Sequence, residues 1–287
     1  MSILPGREPD ALHPAGTVFV GEVVVEDNEL ASTIGEWDLA TGGVLRRVRL
    51  SVPPTAAWAR IVRSDHAIHV MASEYNGGLY YLQLTLQLDV LANEQLGTVS
   101  VSGPNAIATD GHVTAILADG TTDPRGNERR LDGLFIASFD ASGRLAGERL
   151  LMVPDESAYS TRLSRNLVVA AGRIFVLLRD KNARARVEEL APDLKTVRRI
   201  ELPPRVEALD PGFELTFEGG HLVADLGKGE LAFDIPLDLS RASRLVRPQP
   251  SRFQGRNDCS EPVRIGQVQA ALCACGKDTC LEWTSAP

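Results

Sequence analysis

A short apolar run that follows a turn recurs six times along the chain, and its spacing constrains the fold more than any other feature. The runs are AGTVFVGEVVV from Ala15, SDHAIHVMAS from Ser64, DGHVTAILAD from Asp110, AGRIFVLLRD from Ala171, GGHLVADLGK from Gly219 and IGQVQAALCA from Ile265. Five carry glycine immediately before the strand, at Gly16, Gly111, Gly172, Gly220 and Gly266, and the second has Asp65 there. These residues tolerate the left-handed backbone that a tight hairpin requires. The six starts lie 49, 46, 61, 48 and 46 residues apart. That is one unit of 46–49 residues with a single insertion in the third.

Each unit arranges other strands around the anchored one in a fixed order. A strand precedes it, as in AWARIVRS, NAIATD, RNLVVAA, FELTFEG and PVRIG. A polar loop and a third strand follow, as in TIGEWDLA, GLYYLQLTL and GLFIASFDA, and after a turn comes a fourth, such as VLRRVRLS or TVRRIELP. Apolar runs mixed with alternating polar residues suit the inner and outer strands of packed sheets. No stretch beyond about 12 residues keeps a 3.6-residue apolar period, so helix is nearly absent from the expectation.

Four antiparallel strands repeated at this interval mark a β-propeller, and the chain resembles that superfamily across essentially its whole length. The expected fold is all-β, a six-bladed β-propeller of four-stranded antiparallel blades. It forms a single domain over 1–287, with blades at 15–55, 56–100, 101–154, 155–204, 205–250 and 251–287. Trp37-Asp38 resembles the dipeptide of WD40 blades, but it occurs once and lacks a Gly-His partner in register. The resemblance is architectural and implies no particular chemistry. Blade one lacks a clear first strand, and blade six stops after its third at Trp283–Pro287. The segment Ser2–Pro14 is expected to supply a missing strand and tie the two ends together, its prolines suiting an edge.

Composition narrows the partners. The 287 residues carry 30 Lys+Arg against 38 Asp+Glu, a formal net charge of −8, which opposes binding to nucleic acid. No apolar run approaches the roughly 20 residues that cross a bilayer as a helix, so no transmembrane segment is expected. The amino terminus, MSILPGREPDALHPAG, lacks the basic and apolar regions of a secretory signal. Yet all four cysteines cluster in the last 29 residues, as disulfide partners in an oxidising compartment do. The expectation is an extracellular or periplasmic protein after signal removal, with a cytoplasmic one as the alternative.

Function is expected on the long loops. In a propeller the loops after second strands share a face with the connections between blades. The longest of them here is Asp119–Asp132 in blade three, DGTTDPRGNERRLD, set against short turns between first and second strands. Tyr75, Arg125, Arg129, Arg130, Tyr159, Arg179 and Lys181 supply the aromatic and arginine contacts that interfaces favour. An acidic residue falls near the end of the second strand in four blades, Asp27, Glu74, Asp119 and Asp180, with Lys228 in the fifth. Gathered round a channel mouth they would hold Ca²⁺, with Asn76, Asn105 and Asn127 as further oxygen donors; otherwise they are simply turn-initiating residues. His66, His112 and His221 begin second strands on the opposite face, and His13 and His69 show no recognisable partner. No G-x-S-x-G, H-E-x-x-H, P-loop or dinucleotide fingerprint is present. The leading expectation is therefore a non-enzymatic recognition or scaffold propeller for a protein, peptide or glycan, needing no cofactor. The alternative is a metal-assisted, Ca-type hydrolase or lyase working at the acidic mouth.

The cysteines give the sharpest expectation. A hairpin over Gly276-Lys277-Asp278-Thr279 sets Cys275 opposite Cys280, leaving Cys273 for Cys259. Free thiols and a four-cysteine zinc site are the rivals, although Cys-x-Cys is tighter than the usual zinc spacing.

Overall fold

The glycines ahead of the anchored strands do what the pattern requires of them. Gly16, Gly111 and Gly172 take φ of 77°, 86° and 70°, a region that strains any residue with a Cβ. From those turns the chain leaves in extended strands, and the computed structural model contains no helix among its described residues. It describes residues 2–6, 12, 15–26, 29–52, 58–73, 78–96, 99–101, 106–122, 131–151, 166–179, 185–202, 214–218, 221–225, 232–235, 243–244, 263–265, 268–275 and 278–285.

The strands fall into six antiparallel sheets, each drawn from one continuous stretch of chain. The first holds β1 (Ser2–Pro5), β2 (Thr17–Glu26), β3 (Glu29–Asp38) and β4 (Val44–Arg49). The second holds β5 (Trp58–Arg63), β6 (Ala67–Ser73), β7 (Leu79–Thr85) and β8 (Val90–Leu96). The third has five strands, β9 (Val99–Val101), β10 (Ala106–Thr109), β11 (Val113–Thr122), β12 (Leu131–Asp140) and β13 (Leu145–Leu150). The fourth runs β14 (Leu167–Ala170), β15 (Arg173–Arg179), β16 (Ala185–Leu190) and β17 (Thr196–Glu201). The fifth runs β18 (Glu214–Glu218), β19 (His221–Asp225), β20 (Ala232–Ile235) and β21 (Ser243–Arg244), and the last β22 (Val263–Ile265), β23 (Val268–Cys275) and β24 (Asp278–Ser285).

The first strands of successive sheets lie side by side, β1 against β5, β5 against β10, β10 against β14 and β14 against β18, while β1 also meets β22. The sheets thus radiate from an inner ring of strands. Because the second, third and fourth are covered on both faces, their strands are apolar on both, and the described core is a set of seams rather than one centre. Phe19 and Ile34 of the first sheet pack on Ile68, Val70 and Leu82 of the second. Met71 and Tyr81 on the other face of the second meet Ile116, Phe135 and Phe139 of the third. Leu117 and Ile136 continue to Val176 and Leu178 of the fourth, and Phe175 and Val187 to Leu215 and Leu222 of the fifth.

The N-terminal segment supplies a missing strand, as expected, and the strand it supplies is the first of blade one. Ser2–Pro5 is the first strand of its own sheet, in register from Ser2↔Gly21 to Pro5↔Val18. It meets the last sheet by lying beside β22 rather than by joining it as a strand. The reason is proximity in sequence: pairing with the next strand along the chain closes a shorter loop than reaching across the ring.

Candidate functional site

Second strands in the first four sheets start at one level, because each lies opposite the same irregularity. A register shift follows Glu36, Gln83, Ser138 and Glu189 on the third strands, and the next residues face Val18, Ile68, Thr114 and Ile174. From that level β2 and β11 run ten residues, whereas β6 and β15 run seven. At about 3.3 Å per residue, three extra residues raise the first and third sheets about 10 Å above the second and fourth. Among the described strands the second sheet is therefore the low one between two taller neighbours, a saddle in strand height.

The insertion expected as the loop Asp119–Asp132 is thus strand at both ends, and residues 123–130 lie outside the described residues. β11 continues to Thr122 and β12 begins at Leu131, with Asp119 opposite Leu134 and Asp132 opposite Thr121. Ten-residue strands pair here because Leu131, Leu134 and Thr121-Thr122 continue the strand pattern beyond the charged centre of the insertion. Of the expected ligand residues, Arg179 is the last residue of β15. Tyr75, Arg125, Arg129, Arg130, Tyr159 and Lys181 lie outside the described residues. Asp119 stands three residues before the end of its strand, and Asp27, Glu74 and Asp180 lie outside the described residues, as do Asn76, Asn105, Asn127, Lys228 and His13.

The opposite face is built from short, well-tied turns. Asp110 accepts from the amides of His112 (3.0 Å) and Val113 (2.9 Å), and across the seam from Gly172 (2.6 Å). Burial alone would raise the Asp110 carboxyl, but the three amides, Gly172 first, hold it below its usual value. His66 and His112 are exposed on this face, and His221 begins β19.

His69 is where sequence reasoning missed most. It is 2% exposed, and its Nδ1 lies 2.9 Å from the Tyr81 hydroxyl and 3.1 Å from Thr114 Oγ1, while Nε2 lies 3.1 Å from Ser64 Oγ. Burial lowers the imidazole to about 4 and pushes the Tyr81 phenol far above its ordinary value. The ring is neutral, and its hydrogen-bond partners among the described residues are hydroxyls; the serine–histidine contact lies within the second sheet, and the contact with Thr114 is a polar joint between the second and third. The signal was present in the alternation of β6, which places His69 on the Met71 face. Thr114, its partner across the seam, lies 45 residues on.

The last hairpin pairs differently from the expectation. β23 ends at Cys275 and β24 begins at Asp278, so Cys275 faces Asp278 and Cys273 faces Cys280. A bridge between Cys275 and Cys280 assumed a loop two residues longer. Cys259 lies outside the described residues.

No protein-family model matches the chain, and no curated protein matches it in sequence. Solved structures do resemble it. The BP39L lectin from Burkholderia pseudomallei aligns with a TM-score of 0.51 at 13% identity, over 99% of this chain and 81% of the lectin. The β-propeller domain of the Trilobed protease from Pyrococcus furiosus, described as having an open velcro topology, gives 0.47 at 10%, over 99% and 81%. Dihydro-heme d1 dehydrogenase NirN gives 0.43 at 15%, over 83% of this chain, which spans only 45% of that protein. At such identities the likeness concerns the fold alone. With antiparallel sheets radiating from an inner ring of strands, that fold is a β-propeller.

Proposed function

We propose that this chain is a non-enzymatic recognition or scaffold module that binds a protein, peptide or glycan in the saddle above the second sheet. The observation that carries this reading is the alternation of tall and short sheets on one face only. A recess walled by rigid hairpins presents a partner with a preorganised concave surface at little ordering cost.

The test replaces residues 123–130 by Asn-Gly, a turn that closes a two-residue hairpin. Glycan arrays and a displayed peptide library are screened with both proteins. The wild type should select ligands that the variant binds at least tenfold more weakly, with both proteins melting within a few degrees of each other. Elemental analysis and a lactone and ester panel run alongside. Stoichiometric calcium with turnover, and no ligand selected, would overturn the proposal in favour of a hydrolase.

A further inference from the structure

At the outer end of the seam between the third and fourth sheets three arginines share one carboxylate, and we propose that they bind a phosphate group as its dianion. This site lies on the outer strands, apart from the saddle, and is independent of the recognition reading above. Strand alternation builds it. Ile174, Val176 and Leu178 of β15 face the third sheet in the apolar seam, and opposite them on β16 stand Leu190, Glu188 and Arg186. From β17, Arg199 lies opposite Glu188 and Thr196 opposite Leu190. From the third sheet, Arg149 of β13 lies opposite Ile136, which belongs to the same seam. Apolar packing thus gives way to long charged side chains at the outer strands. The groove is closed at its lower end, where a Cβ on Gly147 would stand 3.3 Å from the Asp193 carbonyl.

Glu188 is buried, and its two oxygens serve all three guanidinium groups. Arg186 Nε donates to Oε1 at 3.0 Å, Arg199 Nε lies 3.2 Å from the same oxygen, and Arg149 Nη2 stands 3.7 Å from Oε2. Arg149 Nη2 also donates to Thr196 Oγ1 at 3.2 Å, but its Nε is buried without an acceptor among the described residues. None of the three can shed its proton, so one carboxylate offsets one charge of three. Glu201, opposite Arg186 in register, is exposed and forms no ion pair with it, and Asp193 is tied to Lys195 at 2.6 Å. Arg186 and Arg199 meet Glu188 through Nε, and their terminal nitrogens make no hydrogen bond among the described residues. The side chains of Arg149, Arg186 and Arg199 are 34, 21 and 63% exposed, so the excess charge is partly desolvated yet reachable. Such charge calls for an anion, and the planar fork of arginine matches phosphate oxygens in pairs. A phosphate monoester of charge about −2 balances the two charges left over, whereas a singly charged sulfate ester does not.

The probes are glucose 6-phosphate, glucose 6-sulfate and inorganic phosphate, titrated into the full chain at pH 7.5 and low salt while the arginine Nε–Hε signals are followed by NMR. Glucose 6-phosphate should shift Arg149, Arg186 and Arg199 saturably and leave Arg47, paired with Glu22 on the first sheet, in place. Glucose 6-sulfate should bind at least tenfold more weakly. Inorganic phosphate bound at these arginines at least as tightly as the sugar phosphate would support the site with the free ion as its occupant, and tighter binding of the sugar phosphate would support an ester. Arg199→Gln, at the most exposed of the three, should weaken binding at least tenfold while the melting temperature stays within a few degrees. Glu201→Gln, which removes the carboxylate across from Arg186, should tighten binding at least twofold. No saturable shift at the three arginines, a sulfate ester bound as tightly as the phosphate ester, or an affinity unchanged in both variants would overturn the proposal. So would equal shifts at Arg47, the anion then merely screening surface charge.

Discussion

A neutral imidazole held between two sheets makes stability depend on pH at a single residue. The folded state keeps His69 at about 4, below the ordinary 6.5, so between those values the unfolded chain binds more protons. Stability is complete above pH 6.5 and falls as the pH drops towards 4, by about 3 kcal/mol at the limit. Urea midpoints measured from pH 7.5 to 4.5 should show that decline, and His69→Gln should flatten it relative to the wild type. Gly143 is a second residue of this kind. Its φ is +82°, and a Cβ there would stand 2.5 Å from Gln83 Oε1 and 2.6 Å from Ala92 Cβ of the neighbouring sheet. Left-handed strain and overpacking therefore add, and Gly143→Ala should cost about 2–3 kcal/mol in thermal or urea unfolding. The equivalent residues Leu88 and Leu194 take φ of 71° and 62° with a side chain present, and both are buried in inter-sheet seams. Packing holds them in a conformation that their backbones disfavour.

Among elements, the third strands carry a recurring latch. Glu36, Gln83, Ser138 and Glu189 precede the register shift in the first four sheets. From this position Gln83 Nε2 donates to the Ala141 carbonyl (3.2 Å) and Ser138 Oγ to that of Pro192 (2.5 Å), each in the outer turn of the following sheet. In the first sheet Glu36, fully buried, accepts from Thr17 and Arg46, and Arg46 in turn donates to the carbonyl of Leu86. Different side chains thus reach the corresponding carbonyl one sheet on. Glu36→Ala would leave the Arg46 charge without its carboxylate in a mostly buried site, and should cost about 3 kcal/mol by chemical denaturation. Repeat spacing and turn glycines made the strands legible in the sequence, since both act within a few residues. The latch was not legible, because glutamate, glutamine and serine share no pattern until the fold shows what they reach. The same holds for His69, whose partners lie in two sheets, and for the cysteine hairpin, where a two-residue difference in loop length changes which cysteines face each other. Titrating the denatured, unreduced protein for thiols tests the pairing that the register favours. Two or fewer free thiols and a peptide linking Cys273 to Cys280 are expected, and a bridge between Cys275 and Cys280 would contradict the register.

At the scale of the molecule, heights differ where the sequence suggested only a loop of variable length. The insertion in the third unit was visible as a 61-residue interval, but its ends became strand, and the matching rise of the first sheet left no mark on the spacing. Its sign was the unbroken run Val23-Val24-Val25, too long for a strand meant to stop level with β6. Seams between sheets, each apolar and each spanning two neighbours, make the sheets mutually dependent, so unfolding should be cooperative even though each sheet is local in sequence. Calorimetric and van't Hoff enthalpies should therefore agree, and a separate early transition for one sheet would show the coupling to be weaker. The described sheets also share one trait of descent. Each is encoded by its own uninterrupted stretch, and β1 meets β22 without exchanging a strand. An in-frame duplication or loss of one 46–49-residue stretch would then insert or remove a whole wedge and orphan no strand, which leaves the number of wedges open to change by ordinary recombination.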